Sequence, residues 1–414
     1  MGLLNDISNY IREGETENQN LGLEIEHFVV DDHGNQIGFH EITELISQVG
    51  QSLGADIVMT DGYPAGYITA TYAVSLEPAC QFEISIYPYS NLDKIRDVYD
   101  DFINLWKPIL NSRGYHLETK GNLPSVEHGL VTPDSIPVSP KKRYQYMDQY
   151  FQTSGKYGRY MMRASASSQV SIDYRSEEDM VRKLRVLEKI APLLMILMEN
   201  KSDPSSTLPG AHGKPHLLRI QEWDDLDPDR TGFIPDSLNE DFGYDKMAEV
   251  IYETPLILLA DEEETSYVAG QSAADLVKHQ LLDESNLDED RKKRLIEHFM
   301  SMGFFHFRVK KYIEVRIADS VPVETALGYV ALIKGLVYSQ ENLDYLDGEL
   351  KPVDSLHLIQ EAVETIERDG NDAWIYGKPV PDWINMLMTL AGRALDDRDK
   401  EYLENVHAFW SDSR

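Results

Sequence analysis

Four segments of this chain alternate apolar and polar side chains with a period of two, and their polar sets are rich in carboxylates. In "LGLEIEHF" (21–28), Glu24 and Glu26 point one way while Leu23 and Ile25 point the other. In "QFEISIY" (81–87), Gln81, Glu83 and Ser85 alternate with Phe82, Ile84 and Ile86. In "SSQVSIDY" (167–174), Gln169, Ser171 and Asp173 share a face with Val170 and Ile172 behind, and in "YIEVRI" (312–317), Tyr312, Glu314 and Arg316 are backed by Ile313, Val315 and Ile317. Successive side chains on a strand point to opposite faces, so these patterns predict strands with one apolar and one polar side, as in antiparallel sheets.

Taken singly, each polar face is what a solvated sheet surface presents. Taken together they lack lysine, and the acids keep company with glutamine and a single arginine. Glu24, Glu26, Glu83 and Glu314 on one sheet face repel one another unless cations lie among them. Carboxylate oxygens are the preferred ligands of Mg²⁺, which binds through a few carboxylates plus waters and substrate phosphates. An arginine beside such a cluster suits bidentate contact with phosphate. Carboxylates, Mg²⁺ and arginine describe nucleotide-dependent phosphoryl transfer. No Gly-rich loop ending in Gly-Lys-Ser/Thr and no strand followed by Gly-x-Gly-x-x-Gly is present, so ATP is expected on the sheet face, held through metal.

The chain has 414 residues, 42% of them hydrophobic, which suffices for one large core or two ordinary ones. Its formal net charge of -32 repels nucleic-acid phosphates and anionic membranes, so neither is an expected partner. Cys80 is the one cysteine, which rules out an intrachain disulfide and fits a reducing cytoplasm. The first residues, "MGLLNDISNYIREGE", lack the basic and apolar regions of a secretory signal, and "PLLMILM" (192–198) is too short to span a bilayer. A cytoplasmic protein without membrane spans is expected.

Further strands are expected at 55–59, 66–74 and 115–119, and the four alternating segments at 21–32, 75–87, 163–175 and 310–319. Helices are expected at 41–53, at 91–113 with a Ser90–Asp93 capping box, from Ser176 to about Asn200 with Pro192 inside, and over 269–280, 287–301, 321–340, 353–368 and 381–396. No repeat and no linker divides the chain. Strands early and late with helices between predict an α+β protein, a single catalytic domain over residues 1–414 with a helical C-terminal part at 321–414.

The segments "GLEIEHFVVDDHG" (22–34), "LEPACQFEIS" (76–85), "RYQYMDQYF" (143–151), "SSQVSIDYRSEED" (167–179), "LRIQEWDDLDPDRTGF" (218–233) and "FRVKKYIEVRIADS" (307–320) occur in the order seen in glutamate–cysteine ligases. Across roughly residues 20–335 the chain resembles the plant and proteobacterial branch, which includes actinobacterial enzymes of ergothioneine synthesis. The resemblance implies a glutamine synthetase-like fold, a curved and mainly antiparallel sheet with helices on its outer face. It implies that Glu24, Glu26, Glu83 and Glu314 are metal ligands or their neighbours and that Arg316 lies against the γ-phosphate. Gln169 and Asp173 would lie near metal or nucleotide, Arg143 at the nucleotide and Arg219 near glutamate or the transferred phosphate. The substrates implied are ATP, L-glutamate and an amine, cysteine by analogy. Ala79 and Cys80 in "EPACQ", Ser171, and "ENKSDP" depart from the family pattern, which leaves open another amine or a catalytically silent sensor.

Other residues carry plainer expectations. Cys80 reads as a small packed hydrophobe, and His27, facing away from the acids, as a packed histidine. Tyr144, Met147 and Tyr150 have helical spacing and read as core.

Overall fold

The alternating segments become strands because their apolar sets meet on one side. In this computed structural model, which describes residues 2–211, 213–261 and 264–412, the strands in chain order are β1 (Leu21–Asp31), β2 (Asp56–Thr60), β3 (Tyr63–Ile68), β4 (Tyr72–Leu76) and β5 (Phe82–Tyr89). They continue with β6 (Tyr115–Glu118), β7 (Ser167–Ile172), β8 (Thr231–Gly232), β9 (Pro255–Asp261) and β10 (Glu264–Ser272). The last are β11 (Phe304–Phe305), β12 (Phe307–Val309), β13 (Ile313–Asp319), β14 (Trp374–Ile375) and β15 (Lys378–Pro379).

Nine strands form one sheet in the order β12-β13-β7-β1-β5-β4-β3-β2, with β6 paired to β1. Every pairing in it is antiparallel. The expected α+β class and antiparallel sheet are what the structure has. Leu23, Ile25, Phe82, Ile84, Val170, Ile172, Ile313 and Val315 are fully buried on its apolar side. There Phe82 meets Phe102 and Trp106 of the helix Leu92–Ser112, with ring centroids 5.7 and 4.6 Å apart. One hydrophobic cluster joins residues from Leu3 to Trp410. Among the described residues no helix is long and apolar enough to cross a membrane.

Local chemistry moves several boundaries. The expected strand 66–74 is broken into β3 and β4, because Thr69 Oγ1 donates to Tyr72 O (2.8 Å) and accepts from Tyr72 N (3.0 Å), closing a turn. Residues 158–164 are helical, and β7 begins only at Ser167. The helix after Ser90 is capped by Asn91, whose side chain accepts from the N–H groups of Asp93 and Lys94; no Ser90–Asp93 box forms. The expected helix 269–280 starts at Ala273, where Ser272 and Asp275 make a capping box at the end of β10. Ser176 does cap the helix Glu177–Leu197 by accepting from Asp179 N.

Candidate active site

Residues directly opposite each other on antiparallel strands share a face, so the register assembles the site. On β1, Glu24 stands opposite Ser85 of β5 and Gln169 of β7, and Glu26 opposite Glu83 of β5. Glu83 in turn faces Ser75 of β4. At the other end, Glu314 of β13 faces Ser171 of β7 and Arg308 of β12. Arg316 sits where the β13–β7 register shifts, between Val315 and Ala318, an irregularity of the kind that re-aims a side chain. The polar face opens into a cavity of about 380 Å³ lined by all four expected carboxylates, by Glu77 and Gln169, and by Arg143, Arg308, Lys310 and Arg316. Tyr144, Met147, Met161, Trp223 and Phe304 add an apolar and aromatic part to its wall, and Gln81, Ser165 and Ser301 further polar groups.

The carboxylates are fixed to different degrees. Glu26 accepts from Ser167 N (2.8 Å), Ser167 Oγ (2.9 Å) and Gln169 Nε2 (3.2 Å). Glu83 Oε1 accepts from Ser75 Oγ (2.9 Å) and Ser85 Oγ (3.1 Å). Glu24 accepts no hydrogen bond from a described residue. Burial pushes Glu24 up to about 7, with Glu314 adding to it against the pull of Lys310, Arg308 and Arg316. Glu26 is raised by burial and then by Glu77. Glu83 is raised well above the ordinary carboxylate range, by burial and by Glu24, Glu77 and Glu26. These acids press on one another as the sequence implied.

Glu314 is different. Arg308 grips it bidentately, Nε to Oε2 at 2.6 Å and Nη2 to Oε1 at 2.9 Å. Lys310 Nζ lies 3.4 Å from Oε2 and Arg316 Nη1 3.1 Å from Oε1. Burial raises this carboxyl, but the three cations outweigh it and hold Glu314 well below the ordinary carboxylate range. Arg316 Nη1 also donates to Gln169 Oε1 at 2.6 Å, so Gln169 links Arg316 to Glu26.

Whether these residues suit Mg²⁺ is a question of donor chemistry. The acids supply hard oxygen donors, and Glu24 has no hydrogen bond to give up on binding a cation. Among the described residues no three His, Cys, Asp or Glu side chains are arranged around one ion position. An all-protein cage is therefore not built. Mg²⁺ commonly takes one or two carboxylates with waters and substrate phosphates, and that partial ligation fits the acids on β1 and β5.

Not every expected residue reaches the cavity. Asp173 follows the end of β7, and its Oδ2 accepts from Asn20 N at 3.0 Å; it does not line the cavity, because the alternation stops with the strand at Ile172. Arg219 is buried behind the site, donating to Arg316 O at 3.1 Å and packing 5.9 Å from the Trp223 ring, with no partner for Nε. It does not line the cavity, but its charge acts on Glu26, which does. Arg143 does line it, donating to Ser301 Oγ and Ser301 O, both at 3.2 Å. Tyr144 and Met147 belong to the hydrophobic core, as expected, with Tyr150 packed against it, and the first two also form cavity wall; Tyr144 OH donates to Glu77 Oε2 at 3.2 Å.

His27 bonds Phe82 O (3.0 Å) and Tyr99 OH (2.9 Å) through its two ring nitrogens and is pushed down to about 4 by burial, a packed histidine. Cys80 is buried with its thiol pushed up to about 12 by burial, which makes it a poor nucleophile. Arg308 and Lys310 went unremarked in the sequence, although "FRVKKYIEVR" places positions 308, 310, 314 and 316 at even spacing. Trp223 and Phe304 carry no such signal.

Three comparisons bear on this arrangement. The model of a family described as glutamate-cysteine ligase family 2 (GCS2) matches residues 20–370. A chloroplastic glutamate–cysteine ligase of Medicago truncatula is 26% identical over 308 residues, covering 74% of this chain and 58% of that protein. The Nicotiana tabacum enzyme is 27% identical over 312 residues, 74% and 56% of the two chains, and enzyme B of Oryza sativa is 26% identical over 331 residues, 79% and 64%. The chain thus spans less than two thirds of the length of these relatives. The fold is shared with the crystal structure of a glutamate–cysteine ligase from Francisella tularensis in complex with AMP: TM-score 0.53, 12% identity, covering 96% of this chain and 82% of that one. The family match takes in every strand of the cavity sheet, from β1 to β13, and by it the chain belongs to glutamate-cysteine ligase family 2.

Proposed function

We propose that this protein is an ATP- and Mg²⁺-dependent carboxylate–amine ligase that joins the γ-carboxyl of L-glutamate to L-cysteine. The observation that carries the reading is the cavity itself, where mutually repelling carboxylates on β1 and β5 face a cluster of cations on β12 and β13. The names of the plant relatives and the AMP bound by the Francisella protein support the substrate classes.

A carboxylate is a poor acyl donor because its leaving oxygen is strongly basic. In the reaction proposed, a γ-carboxylate oxygen attacks the γ-phosphorus of ATP and the bond to ADP breaks, leaving an acyl phosphate. The amine then attacks the acyl carbon, loses a proton and expels phosphate. Arg316, set at the register shift of β13 and steadied by Gln169, stabilises charge on the transferred phosphoryl group. Arg219 keeps the Arg316 backbone in place. Glu24, Glu26 and Glu83, with Glu314, would hold Mg²⁺, which when bound neutralises phosphate charge. Serine hydroxyls and Gln169 orient Glu26 and Glu83, as outer partners of metal ligands do. Arg143 offers a half-buried guanidinium to an anionic group of a substrate. No protein nucleophile is needed, in keeping with the inert Cys80. The single buried thiol supports a reducing, cytoplasmic setting, and the common core from Leu3 to Trp410 supports one catalytic unit.

The test is phosphate release from ATP with Mg²⁺ and glutamate while amines are added in turn. Release that depends on cysteine upholds the proposal. Release with another amine moves the assignment to that acceptor, and none with any amine selects a sensor.

A further inference from the structure

We propose that Arg308 and Lys310 bind the nucleotide's polyphosphate: in this structure Glu314 holds both, and they pass from its carboxylate to the phosphates when nucleotide binds. The inference rests on the ligase reading and extends it to two residues to which that reading assigns no individual role. The antiparallel register puts Arg308 directly opposite Glu314, and both point into the cavity. Arg308 spends two of its N–H groups on that one carboxylate, at 2.6 and 2.9 Å. Lys310 and Arg316 approach the same carboxylate, at 3.4 and 3.1 Å. Three cations therefore converge on this carboxylate, whose side chain is 2% exposed, and Glu24 is the further acid that they act on.

A purely structural pair needs one cation for one carboxylate. Three half-buried cations against two acids leave positive charge without a full partner, which is costly unless a further anion meets it, and they line the wall of a cavity in a chain of net charge -32. The chemistry that fits is a polyanion with several oxygens in reach: a planar fork suits two phosphate oxygens and an ammonium a third. A single carboxylate substrate would leave cations over. Passing both groups to phosphate also leaves Glu314 free as a cation ligand. It reconciles two roles that otherwise compete for one side chain.

Arg308→Gln and Lys310→Gln test this in the full chain by calorimetric titration with a non-hydrolysable ATP analogue plus Mg²⁺, and separately with Mn²⁺ alone. Each variant should bind the analogue at least tenfold more weakly. Mn²⁺ without nucleotide should bind as tightly as before, or severalfold more tightly in Arg308→Gln, because a competitor for Glu314 is gone. A loss of analogue affinity below threefold overturns the proposal, and so does a parallel loss of Mn²⁺ binding, which marks a structural pair. If Arg308→Gln does not fold, Lys310→Gln decides alone, since its ammonium makes only the longer contact with Glu314. If the unmodified protein binds no analogue, the ligase reading itself falls; if it binds and the variants match it, only this proposal does.

Discussion

On β13, Glu314 is ringed by Arg308, Lys310 and Arg316, while on β1 and β5, Glu24, Glu26 and Glu83 have only hydroxyls, a backbone N–H and one amide among them. Both groups of acids lie on one face of one sheet and line one cavity. At the first the counter-charge is in direct contact and the carboxyl is held low; at the second burial and mutual repulsion outweigh the cations that act on Glu24 and Glu26, and the carboxyls are pushed up. A protein selected for stability alone would not place Glu26 directly opposite Glu83. The difference teaches that one sheet face can hold acids with and without cations in direct contact, and on the proposed function the β1–β5 end would take a cation from outside and the β12–β13 end an anion.

The same substitution at the two ends should therefore have opposite effects. Glu314→Gln is expected to act most strongly: it leaves buried cations without a partner and should cost about 3–5 kcal/mol in urea unfolding, with turnover lower by about 10²–10³-fold. Next is the cation itself. Mg²⁺ at a hundred times its Kd should stabilise the protein by about 2.7 kcal/mol, an increment that Glu83→Gln should reduce sharply; equal increments in both proteins would put Glu83 outside the metal site. Third, Glu83→Gln without divalent ions should stabilise by up to about 1 kcal/mol, because it removes a like-charge pair across strands. A lower melting temperature in chelator would contradict this account of the β1–β5 end.

The smallest effect is expected at a buried acid outside the cavity. Glu188 accepts from Ser237 Oγ and Ile234 N, and burial pushes it up to about 8 from an ordinary 4.5. The folded state thus binds its proton more tightly than the unfolded state. The contribution of this group is present in full below pH 4.5 and is lost as pH rises through about 8. Glu188→Gln at pH 6 should change stability by less than about 0.5 kcal/mol, and should flatten the decline in stability above that pH. Melting curves with and without Mg²⁺ should show the same decline, since this acid is remote from the cavity.

The strands that carry the acids were legible because alternation is a local property, and Glu24, Glu26, Glu83 and Glu314 all reach the cavity. Asp173 shows where that inference stops: parity put it with Gln169, but the strand ends at Ile172. Arg219 was chosen by resemblance, and the structure buries it beneath Arg316 and Trp223. Asn91 in place of Ser90 as a cap, and Thr69 closing a turn inside an expected strand, were settled by single hydrogen bonds that composition does not rank.

By itself, the sequence determined which face of each strand would be polar and acidic, because side-chain parity and charge follow directly from residue order. Only the tertiary structure decided which acids meet. The pairing order β13-β7-β1-β5 joins residues nearly three hundred positions apart, and that register sets Arg308 against Glu314 but leaves Glu26 facing Glu83. Such cross-strand neighbours are selected by the packing of the apolar face as a whole, which no single segment encodes.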